Sequence, residues 1–306
     1  MVEQNRLLTA CCHVIMILGA ALVCIPLWYS FIGASLTMEQ ITSGDFPSLP
    51  KGHFIENASA AWERGAFSKT YLNSIIVTLG IVIGKITMSM LAAFAITYFR
   101  FPFRITCFWL IFMSMMLPVE VRIIPTYESV ADVMGPVRAL MQWLHLDGIY
   151  QSLTGSSIEI DLNWSMVNSY PGLILPIIAS ASATFLFRQF FLTVPDEICE
   201  AARLDNAGPI KFFFTVLLPL SKSNIAALSI ILFLYGWNQY LWPLLFTNGP
   251  DRATAIIALK GLIPGPQEPP LWNHAMAGAL LVLLPPALII LFMQKYFHKG
   301  LVDSSK

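Results

Sequence analysis

Three ionisable side chains stand inside apolar stretches of this sequence, where a charge is unfavourable. Lys85 lies near the middle of one stretch, and Glu120 and Arg122 lie in another. Lys85 is about 20 Å from either end of a helix built from its stretch, which is too far for its side chain to reach the surface. A charge at the centre of a bilayer costs about 3 kcal/mol or more unless it meets a partner or a water-filled path. These residues therefore indicate either a buried Lys85–Glu120 pair or contacts to a transported ligand, and both interpretations stay open.

Two amides occur among aromatic residues in YGWNQYLWPLL, which runs from Tyr235 to Leu245. Asn238 and Gln239 would lie in hydrocarbon, where a polar amide needs a hydrogen-bond partner. The pair is typical of bonds between helices and equally of a polar wall that recognises a hydroxylated ligand.

A short polar segment, Glu200–Ala207, separates two long apolar runs. Pro195 and Asp196 before it favour the start of a helix, and a carboxylate in the first turn suits the helix dipole. Asn206 and Gly208 both tolerate the left-handed conformation that ends a helix. The pattern predicts a capped helix that is presented to the solvent, followed by a second helix from Pro209.

The sequence contains no motif that indicates nucleotide binding, metal binding, catalysis or a nucleic-acid partner. GIVIGKI, from Gly80 to Ile86, has one residue too few between its glycines for a phosphate-binding loop, and Ile86 replaces the Ser or Thr that would hold magnesium. Gly80 and Gly84 instead predict a face for close helix contact. The five histidines form no ligand spacing, so we expect no metal, no cofactor and no catalytic residue. The formal net charge of +0 gives no reason to expect a nucleic-acid partner.

The elements that must position these residues are membrane spans. The chain is 56% hydrophobic and 12% charged, whereas a soluble domain has about 25% charged residues. We predict an all-α polytopic membrane protein with a single transmembrane domain over residues 1–306 and six spans of the length that a bilayer requires. The predicted spans are Ala10–Ile32, Leu72–Tyr98, Ile105–Ile124, Pro171–Leu192, Asn224–Leu245 and Ala275–Phe297.

Positive charges set the predicted orientation. With the N-terminus inside, ten of the 18 Lys and Arg residues fall on the inner side, six on the outer side and two within spans. Both termini and the loop 195–222 are then cytoplasmic. The long segment 126–170 is external, and its stretch Pro136–Leu146 predicts an amphipathic helix on the outer membrane surface.

EAARLDNAGPIKFFFTVLLPL, from Glu200 to Leu220, resembles the cytoplasmic signature of binding-protein-dependent ABC importer permeases. The shared features are Glu-Ala-Ala, an Asp-Gly-Ala in which Asn206 replaces the glycine, and Leu-Pro after an apolar helix. LPVEVRI, ATFLFRQFF, YGWNQYLWPLL and the terminal GLVDS are similar to permeases of the maltose-type subfamily that import glycerol-3-phosphate.

The resemblance implies a type I ABC importer permease fold with six transmembrane helices. It implies a second, different permease subunit, two ATPase subunits that hydrolyse the ATP, and a periplasmic substrate-binding protein. The chain would lie in the lipid of a bacterial inner membrane, without enzymatic activity of its own. It also implies that the polar helix enters an ATPase subunit, through Glu200, Ala201, Ala202, Arg203, Asp205, Asn206 and Ala207.

Two alternatives to glycerol-3-phosphate import stay open. One is a permease for another sugar or polyol in the same family. The other is a self-sufficient secondary transporter, for which inverted repeats would be expected.

Reporter fusions test the orientation. Fusions after Arg104 and Leu220 should report the cytoplasm, and fusions after Lys51 and Ser152 should report the outside, because of the positive charges beside the inner span ends. A cytoplasmic signal at Ser152 would contradict this topology.

Overall fold

The regular elements of the described chain are all helical, in agreement with the predicted fold class. The structure, a computed structural model, describes residues 6–43, 46–144, 164–265, 269 and 271–302. The chain divides into two compact units. Met1–Tyr71 and Thr254–Ala287 form the first unit, and Leu72–Ala253 and Leu288–Lys306 form the second.

The described residues of both units form a series of helices. In chain order they are α1 (Arg6–Ala34), α2 (Met38–Thr42), α3 (Phe54–Arg64), α4 (Phe67–Tyr98), α5 (Arg104–Met113), α6 (Val119–Ala131), α7 (Gly135–Trp143), α8 (Tyr170–Ile174), α9 (Ala181–Phe191), α10 (Asp196–Leu204), α11 (Pro209–Leu220), α12 (Lys222–Trp237), α13 (Leu241–Phe246), α14 (Ala255–Leu262) and α15 (Trp272–Val302). Short 3₁₀ turns follow α5 and α8, and α11 contains one π-helical turn.

Within the first unit, Asn57 of α3 holds the chain that leaves α1. Its amide nitrogen donates hydrogen bonds of 2.8 Å to the carbonyl oxygens of Ala34 and Leu36. Its amide oxygen accepts a hydrogen bond of 2.8 Å from Asn273, near the start of α15. Asn57 is 5% exposed. Although NAS at this position has the form of a glycosylation acceptor, the side chain is therefore committed to packing the unit.

Within the second unit, α4 approaches its neighbours closely where it carries glycine. A Cβ atom at Gly80 would lie 2.6 Å from the side chain of Ile174, and one at Gly84 would collide with Ile178. The predicted use of these glycines as a packing face is confirmed. A Cβ atom at Gly236 of α12 would lie 3.1 Å from the side chain of Thr78 of α4, a tight but less severe contact.

Among the described residues, three helical segments are long and apolar enough to cross a membrane: Arg6–Ala34, Phe67–Tyr98 and Trp272–Met293. Two bent pairs qualify if each is taken as one span, so the described residues offer three to five candidate spans. The number six stays a prediction.

The third predicted span, Ile105–Ile124, is not one helix. It divides into α5 and α6, and Leu117 between them is extended, with φ −79° and ψ 118°. The physical reason is Pro118, whose ring disfavours the helical conformation for the residue before it. α6 then continues to Ala131, into the segment predicted as an external loop.

The fourth and fifth predicted spans are also interrupted. Pro171–Leu192 is represented by α8 with its 3₁₀ turn and by α9, at an angle of 51°. Ser180 between them is extended, and its hydroxyl accepts the Ala183 amide in place of a helical carbonyl. In the fifth span α12 ends at Trp237, and α13 starts at Leu241, two residues before Pro243. Pro243 has no amide hydrogen with which to continue the helical ladder.

The predicted amphipathic helix Pro136–Leu146 corresponds to α7, which runs from Gly135 to Trp143. Leu144 continues it as a turn, whereas the last two residues of that prediction and the tail of the long segment, residues 145–163, lie outside the described residues.

Substitution at Gly84 should lower stability. A leucine there would overpack the contact with Ile178, which typically costs about 1–3 kcal/mol. Gly19 of α1 provides a matched control, since no atom within 4 Å would meet its added Cβ. Thermal unfolding of the purified chain in detergent should therefore show a lower midpoint for Gly84→Leu than for Gly19→Leu. Equal midpoints would refute the packing interpretation.

Candidate functional site

The polar helix α10 has the capped form that the sequence predicts. It follows Pro195, and Asp196 and Glu197 occupy its first turn. Asn206 ends it in the left-handed conformation, with φ 51°, and the Ala207 amide donates to the carbonyl of Ala202 at 2.9 Å. Gly208 instead has φ −63° and starts α11, so only Asn206 takes the left-handed role that the sequence allowed for both.

The two alanines of α10 lie on different faces. Ala201 is exposed, together with Glu200 and Arg203. Leu204 shares the exposed face and is 87% exposed, more than any other large apolar side chain described. Ala202 is half-buried and faces its own chain, as does Ala207. The surface that another protein could contact is therefore centred on Ala201 and Leu204.

Sequence reasoning missed Leu204. In the sequence it is one apolar residue among many, and its exposure depends on the orientation of α10. The signal that could have found it is its position three residues after Ala201 and four after Glu200, on the same helix face. Asp205 and Asn206 continue the exposed surface at the end of the helix.

The inner face of α10 covers a pocket of about 260 Å³ beside the end of α4. Cys199 and Ala202 line it from α10, and Tyr98 and Phe99 line it from the α4 side. The Cys199 thiol lies beside Tyr98, and burial raises its pKa, which keeps it protonated and poorly reactive.

Tyr98 joins the end of α4 to several elements of the second unit. Its hydroxyl donates to the carbonyl of Phe191, the last residue of α9, at 3.2 Å. Its ring lies 5.4 Å from that of Phe212 in α11, edge-on. One turn earlier in α4, Phe94 lies 5.2 Å from Phe213. Aromatic pairs at these separations stabilise contacts beyond the area that they bury, so α4 is firmly attached to the segment that follows α10.

The side chain of Lys85, within a predicted span, contacts the backbone at the break between α8 and α9. Lys85 is 6% exposed, and its ammonium donates to the carbonyl of Ala179 at 3.2 Å. Ser89, one turn further along α4, donates to the carbonyl of Ser180 at the same distance. A break in a membrane helix leaves carbonyl groups that must find donors, and α4 supplies two. The Lys85 ammonium also lies 4.6 Å from the ring centroid of Tyr235 in α12.

Other residues predicted for a translocation path lie near Tyr235. Gln239 donates from its amide to the Tyr235 carbonyl at 3.1 Å. Arg122 of α6 lies within electrostatic range of both Lys85 and Tyr235. Asn238 is exposed at the end of α12. Lys85 and Gln239 thus both contact Tyr235, which the sequence did not single out, and the charge of Arg122 acts on Lys85 and Tyr235.

The predicted Lys85–Glu120 pair cannot be placed, because the Glu120 side chain lies outside what the structure describes. Among the described side chains, no carboxylate lies within salt-bridge distance of Lys85 or Arg122. The described residues also contain no group of three potential metal ligands.

Residues 76–303 match the protein family described as "Binding-protein-dependent transport system inner membrane component". The chain belongs to this family. The matched range contains α10 and the Lys85 region, and the assignment makes the chain a transport permease subunit, a multi-pass protein of the inner membrane. It favours the importer interpretation over a self-sufficient secondary transporter.

Relatives of this permease match it from end to end. It is 43% identical to "sn-glycerol-3-phosphate transport system permease protein UgpE" of Yersinia pestis over 312 residues, which cover 100% of both chains. It is 44% identical to the proteins of the same name from Yersinia enterocolitica and Escherichia coli, again over 100% of both chains.

The fold of the permease also matches a solved structure. A bacterial ABC transporter involved in the import of the acidic polysaccharide alginate contains a chain that superposes with a TM-score of 0.73, at 17% identity. The match covers 97% of this chain and 99% of that chain. The permease therefore has the type I ABC importer permease fold.

Substitutions at the end of α10 test the cap. Asn206→Val should destabilise α10, because a β-branched residue is strained at φ 51°. Amide exchange over residues 196–207 should accelerate by about tenfold, since the strain is of the order of 1–3 kcal/mol. Asn206→Gly should be mild, because glycine accepts this conformation.

Gly208→Ala is the matched control for Asn206→Val. Gly208 has an ordinary φ, and no atom within 4 Å would meet its added Cβ. Exchange as fast in Gly208→Ala as in Asn206→Val would show that the left-handed cap does not hold α10.

Proposed function

We propose that this permease forms half of the translocation path of an ATP-driven importer for glycerol-3-phosphate. The observation that carries the proposal is the identity of 43–44% over complete chains with relatives named as permeases for that compound. A periplasmic binding protein delivers the ligand, and separate ATPase subunits hydrolyse the ATP.

The complex has the composition that this family suggests: one copy of this chain, a second and different permease subunit, and two ATPase subunits. We expect a partner subunit or lipid to surround helix α1, because only its last three residues, Ile32, Gly33 and Ala34, are buried. Both termini and α10 lie on the cytoplasmic side, as the distribution of positive charges favours.

α10 is the helix through which the motion of the ATPase enters the permease. Its exposed Leu204 and Ala201 form a small apolar surface that fits a cleft of an ATPase subunit. Glu200 beside them supplies a charge-assisted hydrogen bond to a basic residue of that cleft. Arg203, Asp205 and Asn206 form the polar edge, whereas Ala202 and Ala207 pack the helix against its own chain.

The contacts of Tyr98 support a mechanical role for α4. A displacement of α10 and α11 reaches the end of α4 through Cys199, Phe212 and Phe213. α4 is a continuous helix of 32 residues, so the displacement is carried to Lys85 near its middle. The path residues are Lys85, Arg122, Asn238 and Gln239, with Glu120 as a further candidate.

Uptake by the reconstituted complex tests the substrate. Vesicles that contain both permease subunits and the ATPase subunits, supplied with the binding protein and ATP, should accumulate labelled glycerol-3-phosphate. Parallel assays with neutral polyols and sugars should show little uptake. Accumulation of one of those compounds in place of glycerol-3-phosphate would overturn the substrate assignment and leave the importer role in place.

The docking surface is tested by Ala201→Trp, Leu204→Asp and Glu200→Ala. The first adds volume to a packed contact, the second places a charge in it, and the third removes an anionic acceptor. All three variants should remain in the membrane with the partner permease. They should retain less ATPase subunit during purification, and substrate-stimulated ATP turnover should fall by about tenfold or more, which corresponds to about 1.4 kcal/mol.

Ile55→Asp is the matched control for Leu204→Asp. Ile55 is 80% exposed on α3, in a segment predicted to be external, so its substitution should not change ATPase retention. Normal ATPase retention and turnover in both Ala201→Trp and Leu204→Asp would exclude α10 from the ATPase cleft.

A further inference from the structure

The positive charge of Lys85 is not explained by its hydrogen bond alone. The break between α8 and α9 exposes the carbonyl groups of Ala179 and Ser180, and α4 provides a donor for each. Ser89 fulfils this task at Ser180 as a neutral hydroxyl. A neutral donor would serve equally well at Ala179, and it would avoid the cost of a charge in the membrane.

The Lys85 ammonium also has capacity for a further partner. An ammonium group carries three hydrogen-bond donors, and one of them is used by the Ala179 carbonyl. The Tyr235 ring stabilises the positive charge at 4.6 Å without accepting a conventional hydrogen bond. No described carboxylate neutralises the charge.

A second cation lies beside the first. Arg122 is exposed on α6 and within electrostatic range of Lys85 and of Tyr235. Like charges repel each other in a medium of low dielectric constant, so their proximity is unfavourable unless an anion joins them. Tyr235 is 37% exposed, which leaves one side of the cluster open to a ligand.

We infer that Lys85 and Arg122 bind the phosphate group of the transported organophosphate, with Tyr235 and Gln239 beside them. The inference rests on the proposed function and names the part of the ligand that this chain recognises. A phosphate group carries close to two negative charges at neutral pH and three strong acceptor oxygens, which matches two cations that have no carboxylate partner among the described side chains. Arg122 suits this role because a guanidinium forms paired hydrogen bonds with phosphate oxygens.

The cluster acts during passage of the ligand, since the binding protein selects the ligand before it reaches the membrane. Removing either cation should therefore lower the maximal rate of uptake more than it changes the affinity of the binding protein for the ligand. The face of the Tyr235 ring lies against the Lys85 ammonium, where it favours the positively charged form that an arriving anion would meet.

The experiment uses the complete complex in vesicles, with binding protein, ATP and labelled glycerol-3-phosphate. Lys85→Gln keeps a hydrogen-bond donor and removes the charge, and Arg122→Gln does the same at the second cation. Each should lower the maximal uptake rate by about tenfold or more, the loss expected for one charge-assisted hydrogen bond. Lys85→Arg should retain most of the rate, and the control Ser89→Ala, which removes a neutral donor at the same break, should lower the uptake rate less than Lys85→Gln does.

Inorganic phosphate separates the bare anion from the organophosphate. Inorganic phosphate added at millimolar concentration, inside or outside the vesicles, should slow the uptake of glycerol-3-phosphate by the wild-type complex. Uptake by the Arg122→Gln complex should be slowed less. The absence of any difference between the two complexes would contradict a phosphate site at Arg122.

Three further results would overturn the inference. Normal uptake by both Lys85→Gln and Arg122→Gln would exclude a role for charge while leaving glycerol-3-phosphate import intact. If Ser89→Ala lost as much uptake as Lys85→Gln, the role of Lys85 would be limited to donating a hydrogen bond at the break. Rescue of Lys85→Met by Glu120→Gln would show a buried ion pair. If the wild-type complex imports no glycerol-3-phosphate, the proposed function itself is wrong.

Discussion

A membrane interior offers no water to an unpaired backbone carbonyl, and this constraint shapes the second unit. The break between α8 and α9 would be unfavourable in hydrocarbon without donors from elsewhere. α4 supplies them from Lys85 and Ser89, and it approaches closely enough because Gly80 and Gly84 have no side chains. The break, the glycine face and the two donors form one arrangement, in which each part depends on the others.

The same helix connects that arrangement to the polar helix. Lys85 and Tyr98 are about 20 Å apart along α4 at the rise of an α-helix. Tyr98 is hydrogen-bonded to the end of α9, lines the same pocket as Cys199 of α10 and packs against Phe212 of α11. Packed side chains and a rigid helix are the elements through which coupling between distant sites is carried. The proposed ATPase contact on α10 and the proposed phosphate site are thus connected through α4.

Local chemistry in the sequence determined the class of the protein and much of α10. Apolar runs predicted helices because a helix satisfies nearly all of its backbone polar groups within its own segment, as a bilayer requires. The start of α10 after Pro195 and its left-handed end at Asn206 follow from the conformational preferences of those residues. The spacing of Gly80 and Gly84 predicted a close contact, and the signature around Glu200 indicated the family to which the chain belongs.

Only the tertiary structure decided which residues these elements contact and which of their side chains are exposed. Lys85 bonds to a carbonyl 94 residues away, at a break that appears in the sequence as a continuous apolar run. Ala201 and Ala202 are chemically identical, but the packing of α10 leaves Ala201 exposed and places Ala202 at the pocket beside Tyr98. The exposure of Leu204 has the same origin. The physical reason is that orientation and partnership depend on contacts between distant segments, whereas propensity and capping depend on neighbours along the chain.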